Sequence, residues 1–170
     1  ISDRRTGTER RLTDIALAGR AQSLRGPFNA AGTLRIDGTL HNVQIGAGAL
    51  EADTMPLSAR LQPDGGDLSV SFEGAMVPRV DAPALRGELA IVATGPPAWS
   101  LRGELRASPQ AVTLGRGTAR YGAGDAALEL GLSARYDLAA AEPLSVALEA
   151  RQLDLDRIAR ALGGSDDTPA

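Results

Sequence analysis

The chain offers few side chains that could carry out catalysis. Its one histidine, His41, lies in a stretch predicted as a turn, and the sequence pairs it with no carboxylate or nucleophile. Asp154 and Asp156 would share one face of a strand, an arrangement suited to acid–base catalysis or calcium binding. Apolar residues follow where a calcium loop needs oxygen ligands, so the favoured interpretation is a strand end that runs into a capped helix.

Two further features are weak candidates for ligand sites. The glycine-rich segments 115–117 and 122–124 lack both the spacing of a phosphate loop and the helix that follows one. Trp99 suits ligand stacking or a membrane interface, but packing over the edge of a core is the favoured interpretation. We therefore predict no catalytic residue, no metal site and no cofactor.

The composition excludes several classes of function. The 170 residues include no cysteine, and all 18 basic residues are arginine. Disulfide scaffolds, thiolate metal sites, cysteine nucleophiles and lysine chemistry are thereby excluded within this chain. A net charge of −3 and an aromatic content of 3% argue against a nucleic-acid partner.

Strict alternation of apolar and polar residues predicts an all-β fold. The clearest runs are 68–73, 128–136 and 144–151, each with one apolar and one solvated side. We expect about ten strands. The predicted architecture is a curled antiparallel sheet that forms a groove, an open barrel or a sandwich, with one short C-terminal helix from Asp156 to Leu162.

Turn residues and a short repeat support this organisation. Segment 62–67 predicts a hairpin, and 121–125 and 141–143 predict two more. The pentapeptide Leu-Arg-Gly-Glu-Leu occurs at 85–89 and again at 101–105, with 24–28 as a looser copy. Its arginine and glutamate point to the polar face, where cross-strand ion pairs are expected. Two explanations of this recurrence remain open: a true internal repeat, and similar residues that recur because β-hairpins use similar sequences.

The domain boundaries follow from the same pattern. Residues 1–11 are predicted as a flexible lead-in, 12–162 as one β-rich domain and 163–170 as a flexible tail. A division of the domain into two β-units, about 12–95 and 96–162, is left open. The longest uncharged stretches, about 13 residues, are shorter than a membrane span requires, and we expect any anchor to lie outside this chain.

The second half of the chain resembles the AsmA family of bacterial envelope proteins. The resemblance rests on Trp99–Pro109, on Val112–Leu114, on Pro143–Ala150 and on the closing segment Arg151–Arg157, and it covers residues 84 to 162. It implies a periplasmic segment of a protein anchored in the inner membrane. Related proteins form long curled sheets whose apolar groove shields lipid tails, so the resemblance implies lipid transport or outer-membrane homeostasis without catalysis.

Together, the alternation and the resemblance predict which residues would face lipid acyl chains. The set consists of aliphatic residues and one phenylalanine on the apolar side of the predicted strands: Leu68, Val70, Phe72, Leu89, Ile91, Leu101, Leu105, Leu128, Leu130, Leu132, Leu144, Val146 and Leu148. The alternative is an interaction module, a closed β-sandwich that binds envelope proteins and uses the same residues as its core. Hydrolysis of carbohydrate by Asp154 and Asp156 is a third and less favoured hypothesis.

Overall fold

The computed structural model shows one antiparallel sheet of ten strands. It describes residues 11–23, 25–78, 82–122, 127–138, 140 and 143–149. The strands are β1 (Leu12–Ala21), β2 (Phe28–Ile36), β3 (Thr39–Ala47), β4 (Met55–Pro63), β5 (Leu68–Val77), β6 (Ala84–Ala93), β7 (Trp99–Ala107), β8 (Ala111–Tyr121), β9 (Leu128–Asp137) and β10 (Leu144–Glu149). The all-β prediction and the expected number of strands are confirmed.

The sheet is a meander that does not close. The strand order is β1 to β10 without a crossover, and every neighbouring pair is antiparallel. The substantial contacts run only between strands adjacent in sequence, so β1 and β10 are the two edges. Of the three predicted forms, the structure is the open, curled sheet. The predicted helix at 156–162 and the two terminal segments lie outside the described residues.

The hairpin turns follow local turn chemistry. The predicted hairpin at 62–67 joins β4 to β5, with Gly65 at a φ of 65°. The segments 121–125 and 141–143 fall at the β8–β9 and β9–β10 connections, as predicted. A tighter hairpin joins β2 to β3 through Asp37 and Gly38, whose φ values of 50° and 88° suit a two-residue type I′ turn.

Two bulges keep the apolar residues on one side of the sheet. The register shifts between Thr13 and Ala16 in β1, and again between Leu114 and Gly117 in β8. The extra residue has a positive φ in each case, 48° at Asp14 and 49° at Arg116. Since side chains alternate along a strand, one inserted residue returns the alternation to the correct face.

The structure corrects the expectation for His41 and locates the looser copy of the repeat. His41 lies within β3, paired with Leu34 on one side and Pro63 on the other, because the turn is at Asp37 and Gly38. The third copy of the repeat is not a strand unit, since Arg25 and Gly26 belong to the β1–β2 connection.

Candidate lipid-binding face

The register places all thirteen predicted lipid-facing residues on one face of the sheet. Phe72 opposes Leu89, Val70 opposes Ile91, and Ile91 in turn opposes Leu101. Leu132 opposes Leu148 across the last pair of strands. The same face continues to β1, and we call it the apolar face.

Three inner rows of the apolar face contain only glycine and apolar side chains. Each row crosses the sheet through residues that oppose one another on successive strands. The inner rows are Ala21, Phe28, Ala47, Leu57, Gly74, Gly87, Leu105, Leu114, Ala134 and Val146; Gly19, Ala30, Ile45, Ala59, Phe72, Leu89, Gly103, Gly117, Leu132 and Leu148; and Leu17, Gly32, Val43, Leu61, Val70, Ile91, Leu101, Ala119 and Leu130.

Two outer rows flank the inner rows near the strand ends. The aromatic rim comprises Leu34, His41, Pro63, Leu68, Ala93, Trp99, Tyr121 and Leu128. The opposite rim comprises Met55, Met76, Leu85, Ala107, Val112, Tyr136 and Leu144. The first two inner rows cross all ten strands and are about 43 Å long, whereas the third crosses nine and the two rims cross eight and seven. Four steps of two residues separate the rims by about 27 Å along a strand.

The sheet bends toward its apolar face. A Cβ on Gly74 would lie 2.6 Å from the Cα of Gly87, and a Cβ on Gly87 would lie 2.5 Å from the Cα of Gly74. A Cβ on Gly117 would lie 2.6 Å from the carbonyl oxygen of Leu132. These distances are shorter than van der Waals contact, so the backbones of neighbouring strands converge on this side.

Glycines on the other side show no such crowding against backbone. A Cβ on Gly115 would have no atom within 4 Å, and a Cβ on Gly131 would come no closer than 3.3 Å to the carbonyl oxygen of Glu149. At Gly46 the close neighbour is the side-chain hydroxyl of Ser58 rather than a main-chain atom. The contrast makes the apolar face the concave side of the curl, and we call this concavity the groove.

Curvature alone reduces the exposure of the central apolar side chains. Phe72 and Leu114 are each 9% exposed and Val43 is 8% exposed, although no second layer covers them in the described residues. The exposure of apolar side chains is higher on the edge strands, where Leu144 and Leu148 of β10 are 62% and 64% exposed and Ile15 of β1 is 61% exposed. The groove is therefore continuous but least sheltered at its two ends.

The outer face carries the charged residues, which form local ion pairs. Glu104 on β7 accepts hydrogen bonds from Arg106, at 2.7 Å, and from the bulged Arg116 on β8. The hydrogen bond from Arg116, followed by that from Arg106, lowers the pKa of Glu104 to about 2. The other bulge has a matching pair, since Asp14 lies 3.0 Å from Arg35 on β2. Each bulge thus presents a charged side chain to an oppositely charged side chain on the neighbouring strand.

The cross-strand ion pair predicted for the repeat forms between Glu104 and Arg116 on β8, and not between the two copies. They lie on adjacent strands β6 and β7, where Glu88 directly opposes Glu104 and Arg86 opposes Arg106. Like charges therefore face one another, and the ion pairs of Glu104 are made within β7 and to β8 instead. The register causes this, because antiparallel copies in full alignment would set Arg86 against Glu104, whereas the observed pairing is offset from that alignment by two residues.

Cavities on the outer face offer no catalytic set. One of them, about 1100 Å³, follows the row Arg20, Asn29, Gly46, Ser58 and Glu73. Within the described residues there is no group of three metal-ligating side chains, and Asp154 and Asp156 lie outside them. The Nδ1 of His41 lies 2.8 Å from the carbonyl oxygen of Thr39, and His41 is on the apolar face without a carboxylate opposite it.

Sequence reasoning missed the bulges, the Asp37–Gly38 turn and the strand position of His41. A sequence signal for the β8 bulge was present: the apolar residues Val112 and Leu114 occupy even positions, whereas Ala119 and Tyr121 occupy odd ones, and this change of phase marks the bulge.

Comparisons with family models, with curated proteins and with solved structures found no match. No helix in the described part of the chain has the length and apolar character of a membrane span.

Proposed function

We propose that this chain is a non-enzymatic lipid-binding segment whose concave apolar face shields acyl chains. The observation that carries the proposal is the groove itself: three inner rows, the longest about 43 Å, without a polar side chain in the described residues. No second layer of described residues covers these rows, and their exposure rises toward the edge strands, so they form an apolar surface of the kind that marks a binding site. A bound chain would remove that surface from water.

The proposal includes the cellular setting that the resemblance implies. The segment would belong to an AsmA-like protein in the periplasm, anchored in the inner membrane by a part outside this chain. Its role would be phospholipid transport or outer-membrane homeostasis. The open meander supports the lipid-transport part of this role, because an acyl chain can enter a groove from the side without the sheet having to unfold.

Lipid capture tests the proposal directly. The purified chain, incubated with vesicles of bacterial phospholipid and re-isolated, should retain lipid that solvent extraction and mass spectrometry detect. Leu130→Glu introduces a charge on an inner row, whereas Ser133→Glu on the outer face of the same strand is the matched control. We expect Leu130→Glu to remain folded by circular dichroism and to lose retained lipid, while Ser133→Glu retains it. Repeated absence of lipid in the unmodified chain would refute the proposal.

The edge strands favour a second candidate, an interaction module for envelope proteins. Leu144, Val146 and Leu148 of β10 are each at least half exposed, and no described strand pairs with the outer edge of β10. Such an edge can pair with a strand of another protein. Here the apolar face would serve as a packing surface covered by that partner. Under this hypothesis the unmodified chain would retain no lipid in the capture experiment. Leu130→Glu would abolish binding of the protein partner.

A further inference from the structure

The polar atoms of the apolar face are distributed unevenly between its two rims. The aromatic rim carries the imidazole of His41, the indole N–H of Trp99 and the hydroxyl of Tyr121, whereas the opposite rim carries only the hydroxyl of Tyr136. The inner rows between the rims have no polar side chain. An amphiphile in the groove therefore meets different chemistry at its two sides.

Trp99 and Tyr121 form the most accessible polar pair. They directly oppose each other across β7 and β8, and each is 37% exposed. Among the described residues, neither the indole nitrogen nor the phenolic oxygen has a hydrogen-bond partner. Aromatic side chains of this kind favour the boundary between apolar and aqueous surroundings, where the ring is buried and the polar atom stays wet.

An acidic turn lies at the same end of the sheet as this pair. The main-chain N–H of Thr94 donates a hydrogen bond of 2.9 Å to the carbonyl oxygen of Asp67, so the β4–β5 turn rests against the β6–β7 turn that leads into Trp99. The Asp67 carboxylate is next to Gly95, where a Cβ would lie 2.5 Å from its Oδ2. Asp64 lies in the same turn, and neither the 64–67 turn nor the 94–98 turn contains an arginine.

We propose that the groove binds lipids whose head group carries an ammonium, with that head group at the aromatic rim and the acyl chain across the inner rows. This inference rests on the proposed function. Aromatic faces attract an ammonium through their quadrupole, and the nearby carboxylate adds attraction of the same sign. The inner rows span about 13 Å along a strand, close to the acyl thickness of one leaflet, which is about half of the 30 Å hydrocarbon core.

The test compares two lysophospholipids that have the same acyl chain, one with a choline head group and one with a glycerol head group. Binding to the full chain is measured by equilibrium dialysis below the critical micelle concentration. A cation–π contact at an exposed site corresponds to about a two- to fivefold preference, and we expect that preference for the choline lipid. Tyr121→Leu and Asp67→Asn should each reduce it, whereas Tyr136→Leu at the opposite rim should leave it unchanged.

Fluorescence of Trp99, the only tryptophan, reports the orientation independently. Lysophosphatidylcholine brominated near the head group should quench Trp99 more strongly than the same lipid brominated near the chain end. Equal affinities for the two head groups, or stronger quenching by the distal bromines, would overturn the inference and leave the groove a lipid site. Absence of binding by both lipids would overturn the inference and the proposed function together.

Discussion

Replacement of Gly74 by alanine tests whether the apolar face is the concave side. The new Cβ would lie 2.6 Å from the Cα of Gly87 and closer still to the carbonyl oxygen of Arg86. Both neighbours are main-chain atoms of β6, so no side-chain rotation can relieve the contact and the two strands must move apart. Gly115→Ala is the matched control, because a Cβ at that position meets nothing within 4 Å.

The expected magnitudes have opposite signs. Overpacking costs about 1–3 kcal/mol, and the upper half of that range applies at Gly74 because only backbone can move. Alanine has less conformational entropy than glycine in the unfolded chain, and this difference stabilises the fold by about 0.5–1 kcal/mol. The net destabilisation of Gly74→Ala is then about 1–2 kcal/mol. Gly115→Ala has the same offset without the clash, so its free energy of unfolding should rise by about 0.4–1 kcal/mol.

Urea unfolding followed by circular dichroism provides the assay. With a slope of about 2 kcal/mol per molar urea, the midpoint should fall by about 0.5–1 M in Gly74→Ala and rise slightly in Gly115→Ala. If the two variants unfold within about 0.3 M of each other at equal slope, the convergence of β5 and β6 is not a property of the folded chain. The assignment of the apolar face as concave would then fail.

Three further predictions concern the ion pairs and the groove. The pKa of Glu104 is lowered to about 2, so its ion pairs stabilise the fold fully above the ordinary pKa of 4.5. This stabilisation is lost as the pH falls from 4.5 through 2. Glu104→Gln should therefore remove this part of the acid dependence of the thermal melting temperature. Arg116→Ala should raise the pKa of Glu104, which NMR titration of the side-chain carboxyl would detect as a midpoint shifted to higher pH; an unchanged midpoint would exclude Arg116 as the main cause. Phe72→Ala should cost about 3 kcal/mol in urea unfolding, whereas a loss below 1 kcal/mol would mean that this side chain is not packed in the unliganded groove.

The face of each strand could be predicted from the sequence because side-chain direction alternates locally. Leu128, Leu130 and Leu132 share a face whatever strand lies beside them, and antiparallel pairing of β9 with β10 joins them to Leu148. The fold class and the lipid-facing candidates followed from this rule. Their contact with lipid stays a prediction, because the rule is the same for a groove and for a closed core.

The residue pattern of one strand predicts poorly those features that depend on how two strands pair, such as the position of a turn or the partner of a charged side chain. The stretch between Leu40 and Val43 predicts a turn at His41 and Asn42, yet the Asp37–Gly38 turn places His41 within β3. The repeat predicts cross-strand ion pairs, and Glu104 forms one with Arg116 on β8, but the register between β6 and β7 sets Glu88 against Glu104. Each of these outcomes depends on register, which is a relation between strands rather than a property of either one.

The sequence by itself determined that this chain forms amphipathic antiparallel strands with one aliphatic side. Its period-two alternation and turn residues act over a few positions, so they can be recognised without a structure. Only the tertiary structure decided that the sheet stays open and curls toward that side. Curvature arises where backbones approach across the register, as at Gly74 and Gly87, and those two glycines are 13 residues apart in the chain and adjacent only when folded.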